Sequence, residues 1–411
     1  MKLKLHVAAT AWAFVLSMAM GLMPWNTAAA HGLKTLYRFC QQANCTDGSM
    51  PVAGLLMDSS ENLFGTTVYG GAHNKGTIFE LARTAKGWKH KLLYSFCQQG
   101  GLCLDGANPA GVLIEDTQGN LYGTVTQGGA RNVGAVFELI GRKRLKILYN
   151  SCRRRSCPDG NGPGATLTYR GAQMGLPYDG VSPLYGTESN AVFKLEKDPK
   201  RWTETTLYRF CTQKGCKGGA GPRTVVIDQA GNLFGTTTTG GQFNSGTIFQ
   251  ISADGTETVL YSFCSQADCT DGLYPTAGFM LAADGNFYGV TNVGGTDNWG
   301  LIFKFSRESG YAVLHRFCNE CGDGVAPYGA PVMDAAGNLF GTTMENGAYS
   351  GGTIYQLKSS YQVIYNFCAQ ADCSDGVAAE GTMIMDSAGN LFGTAAGGGT
   401  AHGGTVFEFT P

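Results

Sequence analysis

The chain has 411 residues, of which only 15% are charged, and its formal net charge at pH 7 is -1. A balance this close to neutral disfavours a general role in binding nucleic acid or an anionic membrane surface. Glycine contributes 61 positions, a composition typical of many short strands joined by tight turns.

The N-terminal segment has the pattern of a secretory signal. Lys2 and Lys4 precede an apolar run at residues 7–23, and three alanines end at Ala30. We therefore predict a signal peptide at residues 1–30 and a secreted or periplasmic protein. A retained membrane anchor is the alternative, but the run contains polar residues and ends at a proline. Removing the two lysines changes the formal charge from -1 to -3.

One short segment recurs along the remaining chain. Asn-Leu-Phe-Gly-Thr or a close variant begins at seven places, namely Asn62, Asn120, Pro183, Asn232, Asn286, Asn338 and Asn390. Neither a linker nor a change of composition separates the copies, so we expect residues 31–411 to form a single domain.

Each repeat divides into four short strands, A to D in chain order. In the first full repeat we expect them at residues 53–58, 62–67, 77–81 and 91–96. No stretch shows a sustained amphipathic helix pattern. Seven copies of a four-stranded unit predict an all-β fold, a seven-bladed β-propeller.

The two ends of the chain complement each other. A lone D-type strand, residues 33–39, comes first, and a C-type strand, residues 404–409, comes last. We predict that the segment from Leu36 to Phe39 pairs with Thr405 to Phe409 and completes the last blade. Such closure removes the sheet edges that an open array would expose.

The fourteen cysteines give a second count of seven, because each repeat contains one close pair. Local pairing in an exported chain predicts disulfides. Zinc is the alternative, but two cysteines per blade are too few and too dispersed for a tetrahedral site. The predicted bonds are Cys40–Cys45, Cys97–Cys103, Cys152–Cys157, Cys211–Cys216, Cys264–Cys269, Cys318–Cys321 and Cys368–Cys373.

The repeat resembles the bacterial tandem-repeat proteins called GloVer-containing. The resemblance rests on segments such as 62–67 and 76–81 with their copies, and it covers nearly the whole predicted mature chain. It implies no reaction and no cofactor. Members of the family carry varied surface anchors. Here no lipobox cysteine lies near residue 30 and little chain follows Phe409, so we expect a soluble exported monomer.

Positions shared by all copies build the scaffold, so a site is better sought where one copy departs from the others. We expect the cysteine loops and the B–C loops to form one rim and to be the binding face. An Asp-Gly pair follows the second cysteine in six repeats, at Asp47, Asp105, Asp159, Asp271, Asp323 and Asp375. A turn role explains all six, and calcium is the alternative.

The third full repeat is the most irregular, because only residues 188–190 join its B and C strands. Basic residues surround this gap in the rim, and Gly218 replaces the usual aspartate. We predict that this basic sector binds an anionic polysaccharide or another extracellular polymer. Its residues are Arg131, Arg153, Arg154, Arg155, Lys214 and Lys217. An ordinary solvated surface is the alternative.

Two further hypotheses concern single-copy residues. Glu345 and Glu380 lie on neighbouring repeats, and as a pair they could act as acid and base in glycoside cleavage. His73 and His402 lie in loops that ring closure would bring together, and Asp47 could complete a metal site. The alternatives are solvated glutamates and ordinary turn residues.

The sequence favours a non-enzymatic function, an exported repeat protein whose loop face binds an extracellular polymer or glycan. It predicts no cofactor and no resident metal, and it contains no triad, P-loop or dinucleotide fingerprint. A secreted polysaccharide hydrolase or lyase that uses rim carboxylates is the alternative function.

Overall fold

A computed structural model describes residues 32–98, 100–152, 157, 162–164, 166–199, 201–212 and 214–411. Seven antiparallel sheets succeed one another along the chain and close into a ring. The predicted all-β, seven-bladed propeller is thereby confirmed. Residues 31–411 make up one compact unit. The predicted signal peptide, residues 1–30, lies outside the described residues.

Strands dominate the described part of the chain. In chain order they are β1 (Gly32–Arg38), β2 (Leu56–Met57), β3 (Leu63–Thr67), β4 (Thr77–Thr84), β5 (Gly87–Ser95), β6 (Ala107–Pro109), β7 (Ile114–Glu115), β8 (Leu121–Gln127), β9 (Ala135–Ile140), β10 (Arg144–Asn150), β11 (Leu184–Glu188), β12 (Ala191–Lys197), β13 (Trp202–Arg209), β14 (Ala220–Ile227), β15 (Leu233–Thr239), β16 (Thr247–Ile251), β17 (Glu257–Ser262), β18 (Met280–Leu281), β19 (Phe287–Thr291), β20 (Leu301–Ser306), β21 (Gly310–Arg316), β22 (Val325–Pro327), β23 (Val332–Met333), β24 (Leu339–Glu345), β25 (Thr353–Leu357), β26 (Tyr361–Asn366), β27 (Ile384–Met385), β28 (Leu391–Ala395) and β29 (Thr405–Thr410).

Helical structure among the described residues consists of four 3₁₀ helices of three residues each. They are Ala43–Cys45, Ala172–Met174, Ala267–Cys269 and Ala371–Cys373. No helix in this part of the chain is long and apolar enough to span a membrane.

The strands group into blades in sequence order. Blade 1 contains β2–β5, blade 2 β6–β10, blade 3 β11–β13, blade 4 β14–β17, blade 5 β18–β21, blade 6 β22–β26, and blade 7 β27–β29 with β1. In blade 3 the A strand is reduced to a bridge between Thr168 and Tyr185.

The first and last strands close the ring as predicted. β1 pairs antiparallel with β29, so that Lys34 lies opposite Glu408 and Tyr37 opposite Val406. Phe39 N–H then donates to Gly404 O at 2.9 Å. The N-terminal strand is therefore the outer strand of blade 7.

The core of each blade contains the same pair of packed residues. The B strand carries a glycine opposite an aromatic residue of the C strand, as Gly65 lies opposite Phe79. A Cβ at Gly65 would lie 2.5 Å from Phe79 Cζ, so only glycine leaves room for the ring. A bulge in the C–D pairing then follows in every blade, here between Ile78 and Phe79.

Two kinds of loop meet on one side of the ring, and we call this side the loop face. In five blades (1, 2, 4, 5 and 7) a glycine N–H of the B–C loop donates to the cysteine loop that precedes the blade. Examples are Gly71 to Cys45 O at 3.0 Å, Gly241 to Cys216 O at 3.0 Å and Gly399 to Cys373 O at 2.9 Å. The opposite side, which carries the A–B and C–D turns, is the turn face.

All seven predicted cysteine pairs are disulfide-bonded. Each bond closes a short loop on the loop face, with 3 to 6 residues of sequence separation. They fix the conformation of these loops, because a covalent link removes much of a loop's freedom.

Blade 3 differs from the others on both faces. Its B and C strands are joined by Ser189 and Asn190 alone, so the predicted gap on the loop face is present. Its A–B connection is instead long: residues 169–183 take the place of a tight turn and include the helix Ala172–Met174. Tyr178 in this insertion is fully buried and packs against Tyr122 of blade 2.

Candidate functional site

A central channel runs between the innermost strands of the blades. On the loop-face side it contains a cavity of about 790 Å³, to which all seven blades contribute. A second cavity of about 1050 Å³ lies on the turn-face side. Gln173, from the blade 3 insertion, lines both cavities. The first cavity is within the size range of small-molecule sites.

Three polar side chains from different blades line the loop-face cavity without a partner. Arg223 of blade 4 has a buried Nε with no hydrogen-bond acceptor, and Thr276 of blade 5 has a buried Oγ1 with none. Glu380 of blade 7 is half-buried, and burial raises its pKa above the ordinary value. An unpaired polar group in a cavity is costly, which makes it a candidate ligand contact.

Two other arginines are paired with carboxylates. On the turn face Arg142 lies 2.6 Å from Glu115 and over the ring of Phe64. Arg307 is 3.7 Å from Asp228. Arg223 therefore differs from these two arginines in having no carboxylate within ion-pair distance among the described residues.

The loop face also presents exposed aromatic side chains. Among the described residues five aromatic side chains are more than one third exposed, and all five lie on loops of this face. They are Tyr69, Phe243, Tyr274, Trp299 and Tyr349, with exposed fractions from 39% to 55%. We call the four in blades 4 to 6, Phe243, Tyr274, Trp299 and Tyr349, the aromatic arc.

Backbone contacts connect the aromatic arc from blade to blade. Tyr274 N–H donates to Ser245 O at 2.9 Å, and Ser245 Oγ donates to Phe243 O. Ala326 N–H of blade 6 donates to Trp299 O at 3.3 Å. The loops that carry these rings are thus held to the neighbouring blade.

Tyr274 occupies a strained backbone position. Its φ is +55°, in the left-handed region that a bulky residue rarely adopts. The equivalent residues are Met50, Asn108, Gly162, Gly221, Ala326 and Ala378. All of these residues share a positive φ, so the conformation belongs to the repeat, and the exposed ring is what distinguishes Tyr274.

The aspartates of the cysteine loops are structural. Asp271 is fully buried, and its carboxylate accepts from Tyr261 Oη, from Ser265 N–H and Oγ, and from Gln266 N–H. Asp47 and Asp375 have the same arrangement. These contacts support a structural role of the aspartates in the turns. They also include a strand D tyrosine whose role was not predicted from the sequence.

The cysteine loop between blades 3 and 4 compensates for its missing aspartate. There Tyr208 Oη donates to Glu257 of the next blade at 3.3 Å. A Cβ at Gly218 would lie 3.4 Å from a Glu257 oxygen, so this carboxylate fills the space that an aspartate leaves. Gly218 therefore does not leave this loop without a nearby negative charge, because Glu257 supplies one.

The predicted basic sector is only partly covered by the structure. Arg131, Lys214 and Lys217 are exposed on the loop face near the blade 3 gap. Arg153, Arg154 and Arg155 lie outside the described residues, as does Asp159. Ligand binding by this sector stays a prediction.

The structure does not assemble the proposed histidine site. His73 and His402 are exposed, whereas Asp47 is buried and its carboxylate already accepts three hydrogen bonds. The described residues contain no group of three or more His, Cys, Asp or Glu side chains placed to hold a metal ion.

The two glutamates considered for catalysis lie in different surroundings. Glu345 is exposed at the end of β24, opposite Val325 of β22. Glu380 lines the channel, and Glu345 does not. The pair therefore does not share one cavity.

Three solved structures are similar to the chain at low sequence identity. The extracellular domain of a protein described as a hybrid two-component system from B. thetaiotaomicron matches with a TM-score of 0.56 and 11% identity, over 92% of this chain and 39% of that chain. The chain thus spans about two fifths of that protein. A protein described as a gluconolactonase has a TM-score of 0.41 and 10% identity, over 93% of each chain. A luciferin-regenerating enzyme has a TM-score of 0.43 and 14% identity, over 74% of this chain and 91% of that chain.

The first of these similarities, at a TM-score of 0.56, concerns the fold alone. No curated protein sequence matches the chain. The profile of the Gloeobacter/Verrucomicrobia repeat matches residues 25–215 and 265–411. Blade 4 lies mostly between these two ranges and still has the same strand order as the others. The protein belongs to the Gloeobacter/Verrucomicrobia repeat family.

Proposed function

We propose that the protein is an exported, non-catalytic module that binds an extracellular glycan on its loop face. The observation that carries this proposal is the placement of the exposed aromatic side chains. All five in the described chain lie on this one face, and four of them form the aromatic arc. Large aromatic side chains left exposed on one surface are typical of binding sites.

A glycan fits this surface better than an apolar partner does. The rings lie on separate loops of three blades, which does not make one continuous apolar patch. The C–H faces of pyranose rings stack on single aromatic rings, and a polymer can engage several at once. Tyrosine and tryptophan supply such contacts at little conformational cost.

The disulfides and the fold support export and a rigid binding surface. Seven disulfides are typical of an oxidising compartment, which agrees with the signal peptide predicted at residues 1–30. The fold also occurs as an extracellular domain in the two-component protein. Loops fixed by disulfides lose less freedom on binding, which favours affinity.

The test compares variants that change the aromatic arc to residues found in other copies. Tyr274→Ala introduces the residue of Ala326, and Trp299→Ser that of Ser245, so the double variant should fold. We expect its retardation in affinity electrophoresis through neutral polysaccharide gels to fall at least tenfold. The matched control is Leu176→Ala with Val181→Ala, which removes exposed apolar side chains of the turn face.

Equal binding by the double variant and the parent would contradict the proposal. Release of new reducing ends during incubation would instead support the alternative function, a hydrolase or lyase. Anionic gels test the basic sector separately: replacing Lys214, Lys217 and Arg153 to Arg155 by serine should weaken only that binding, in a salt-dependent way.

A further inference from the structure

Arg223 departs from the repeat at a crowded position of the channel wall. Aligned from the end of the A strand, the residues at this place in the other six copies are alanine or glycine, namely Ala53, Gly111, Ala165, Ala277, Gly329 and Gly381. Blade 4 is one residue shorter than the other copies in this segment, and its A strand β14 is continuous. The crowding explains the small residues of the other copies, because a Cβ at Gly329 would lie 2.9 Å from the backbone of Gly381 in the next blade. A scaffold role therefore does not account for an arginine here.

Glu380 departs in the same way three blades away. Aligned in the same way, its counterparts are Val52, Ala110, Gly164, Pro222, Thr276 and Tyr328. Neither a hydrogen bond nor an ion pair connects Glu380 to another described residue, and none connects it to Arg223. The lining of the cavity thus includes one cationic side chain, Arg223, and two carboxylates, Glu380 and Glu188 of blade 3. Ser151 Oγ donates to Glu188 at 2.7 Å, whereas Glu380 has no such partner among the described residues.

The remaining lining is rich in hydroxyl groups rather than in charge. Threonines from several blades face the same cavity, namely Thr126, Thr166, Thr187, Thr224, Thr238, Thr276 and Thr382. Thr276 Oγ1 has no partner, like Arg223 Nε. Such a wall suits a molecule with many hydroxyl groups and one anionic group.

We propose that this channel is a binding site for a monosaccharide-sized sugar acid, whose carboxylate binds Arg223 and whose hydroxyl groups hydrogen-bond Glu380 and Thr276. The planar guanidinium offers paired N–H donors that match the two oxygens of a carboxylate. The Glu380 carboxyl group accepts from hydroxyls, and its raised pKa agrees with a weakly hydrated position. The site is separate from the aromatic arc and does not depend on it.

The test is calorimetric titration of the purified full chain with D-glucuronate. We expect saturable one-to-one binding, and binding at least tenfold weaker for D-glucose, which lacks the carboxylate. Arg223→Ala introduces the residue of Ala53 and Ala277, so it should fold with an unchanged or higher Tm. It should nevertheless lose at least tenfold in glucuronate affinity.

Two control variants test whether glucuronate binding depends on Arg223 and not on another arginine or on the aromatic arc. Arg144→Ala removes an exposed arginine of β10 and should bind glucuronate like the parent. Trp299→Ser should also keep the glucuronate affinity, even if it abolishes polymer binding. Galacturonate monomer and tetramer are compared in the same titration. A tetramer that binds as tightly as the monomer would identify the ligand as the end of a chain. A tetramer that binds more weakly would identify the ligand as a free sugar acid.

Three results would overturn the proposal. They are absence of glucuronate binding by the parent, equal affinity of Arg223→Ala and the parent, and tighter binding of γ-aminobutyrate than of glucuronate. The last would show that Glu380 selects an ammonium group rather than hydroxyls.

Discussion

At the scale of single residues, the most repeated interaction is the one between a cysteine-loop aspartate and a strand D tyrosine. Asp271 illustrates it, because this buried carboxylate connects Tyr261 to the backbone of the loop. On β21 of blade 5 a histidine replaces the tyrosine, and His315 Nε2 lies 2.9 Å from Asp323. The loops of the binding face are therefore positioned by the strands beneath them.

Asp271→Asn should destabilise the protein. The amide removes the negative charge and replaces one acceptor by a donor, while Tyr261 and two backbone N–H groups still need acceptors. We expect a loss of about 2 kcal/mol in the free energy of unfolding, since hydrogen bonds to charged groups contribute about 1.5–3 kcal/mol. Urea unfolding measures it.

Asp268→Asn is the matched control for this prediction. Asp268 is exposed in the same loop at φ +55°, where the first repeat has Asn44 at φ +57°. We expect no change beyond about 0.5 kcal/mol. If the two variants lost the same stability, the Asp271 contacts would not be the cause.

Glu380 gives a prediction for pH dependence. Burial raises its pKa in the folded state, so the native protein binds more protons than the unfolded chain between the two pKa values. The free-energy cost of burying the charged carboxylate is present above the folded-state pKa. This cost disappears as the pH falls through that pKa. Glu380→Gln should therefore be more stable than the parent at pH 7, and the difference should vanish near pH 4, below the ordinary value of about 4.3.

Thermal unfolding of both proteins at the two pH values measures this difference. Glu345→Gln, at an exposed position of β24, should show no such change. A constant difference between Glu380→Gln and the parent across this range would mean that the charge on Glu380 has no part in it. The other charged residues that line this cavity are Arg223 and Glu188.

The sequence predicted the residues that all repeats share better than it predicted residues that occur in a single repeat. The Asp-Gly turn was predictable because both residue types have local conformational reasons to be there. Arg223 was missed, although aligning the A strands shows it against alanine and glycine. The aromatic arc was missed because exposure depends on packing, and aromatic residues elsewhere in the repeat are buried in the core.

At the scale of elements, strand order was predictable and strand length was not. The B strand, predicted at residues 62–67, is Leu63–Thr67, whereas the A strand, predicted at 53–58, is only Leu56–Met57. Ala53 and Gly54 face the channel and the neighbouring blade instead, outside a regular hydrogen-bonded ladder. Propensity alone does not show where pairing stops, because tertiary contacts decide it.

The blade 3 insertion shows another limit of repeat analysis. Its missing B–C loop was evident from the short spacing between strands. The insertion at residues 169–183 has no counterpart in other copies, so no repeat pattern indicated its position. Asp116 and Tyr178 form a bridge that connects the insertion to blade 2, which only the folded structure shows.

At the scale of the whole molecule, ring closure determines the channel site. The loop-face cavity receives residues from all seven blades, so it exists only if blade 7 meets blade 1. Thr394 Oγ1 of blade 7 donates to Ala53 O of blade 1 at 2.8 Å, and Phe392 packs in one cluster with Leu55 and Phe79. The pairing of β1 with β29 completes this junction.

Disulfide trapping tests this closure most directly. Lys34 and Glu408 are cross-strand partners, and their side chains lie on one face at 3.9 Å between Nζ and Oε2. Cysteines at both positions should form a bond that peptide mapping identifies, and it should raise stability by about 2–4 kcal/mol. The control, Lys34→Cys with Gln250→Cys, places the second cysteine at the equivalent position of blade 4 and should leave both thiols free. A closed ring predicts the cross-link only in the first pair, and free thiols in both pairs would contradict it.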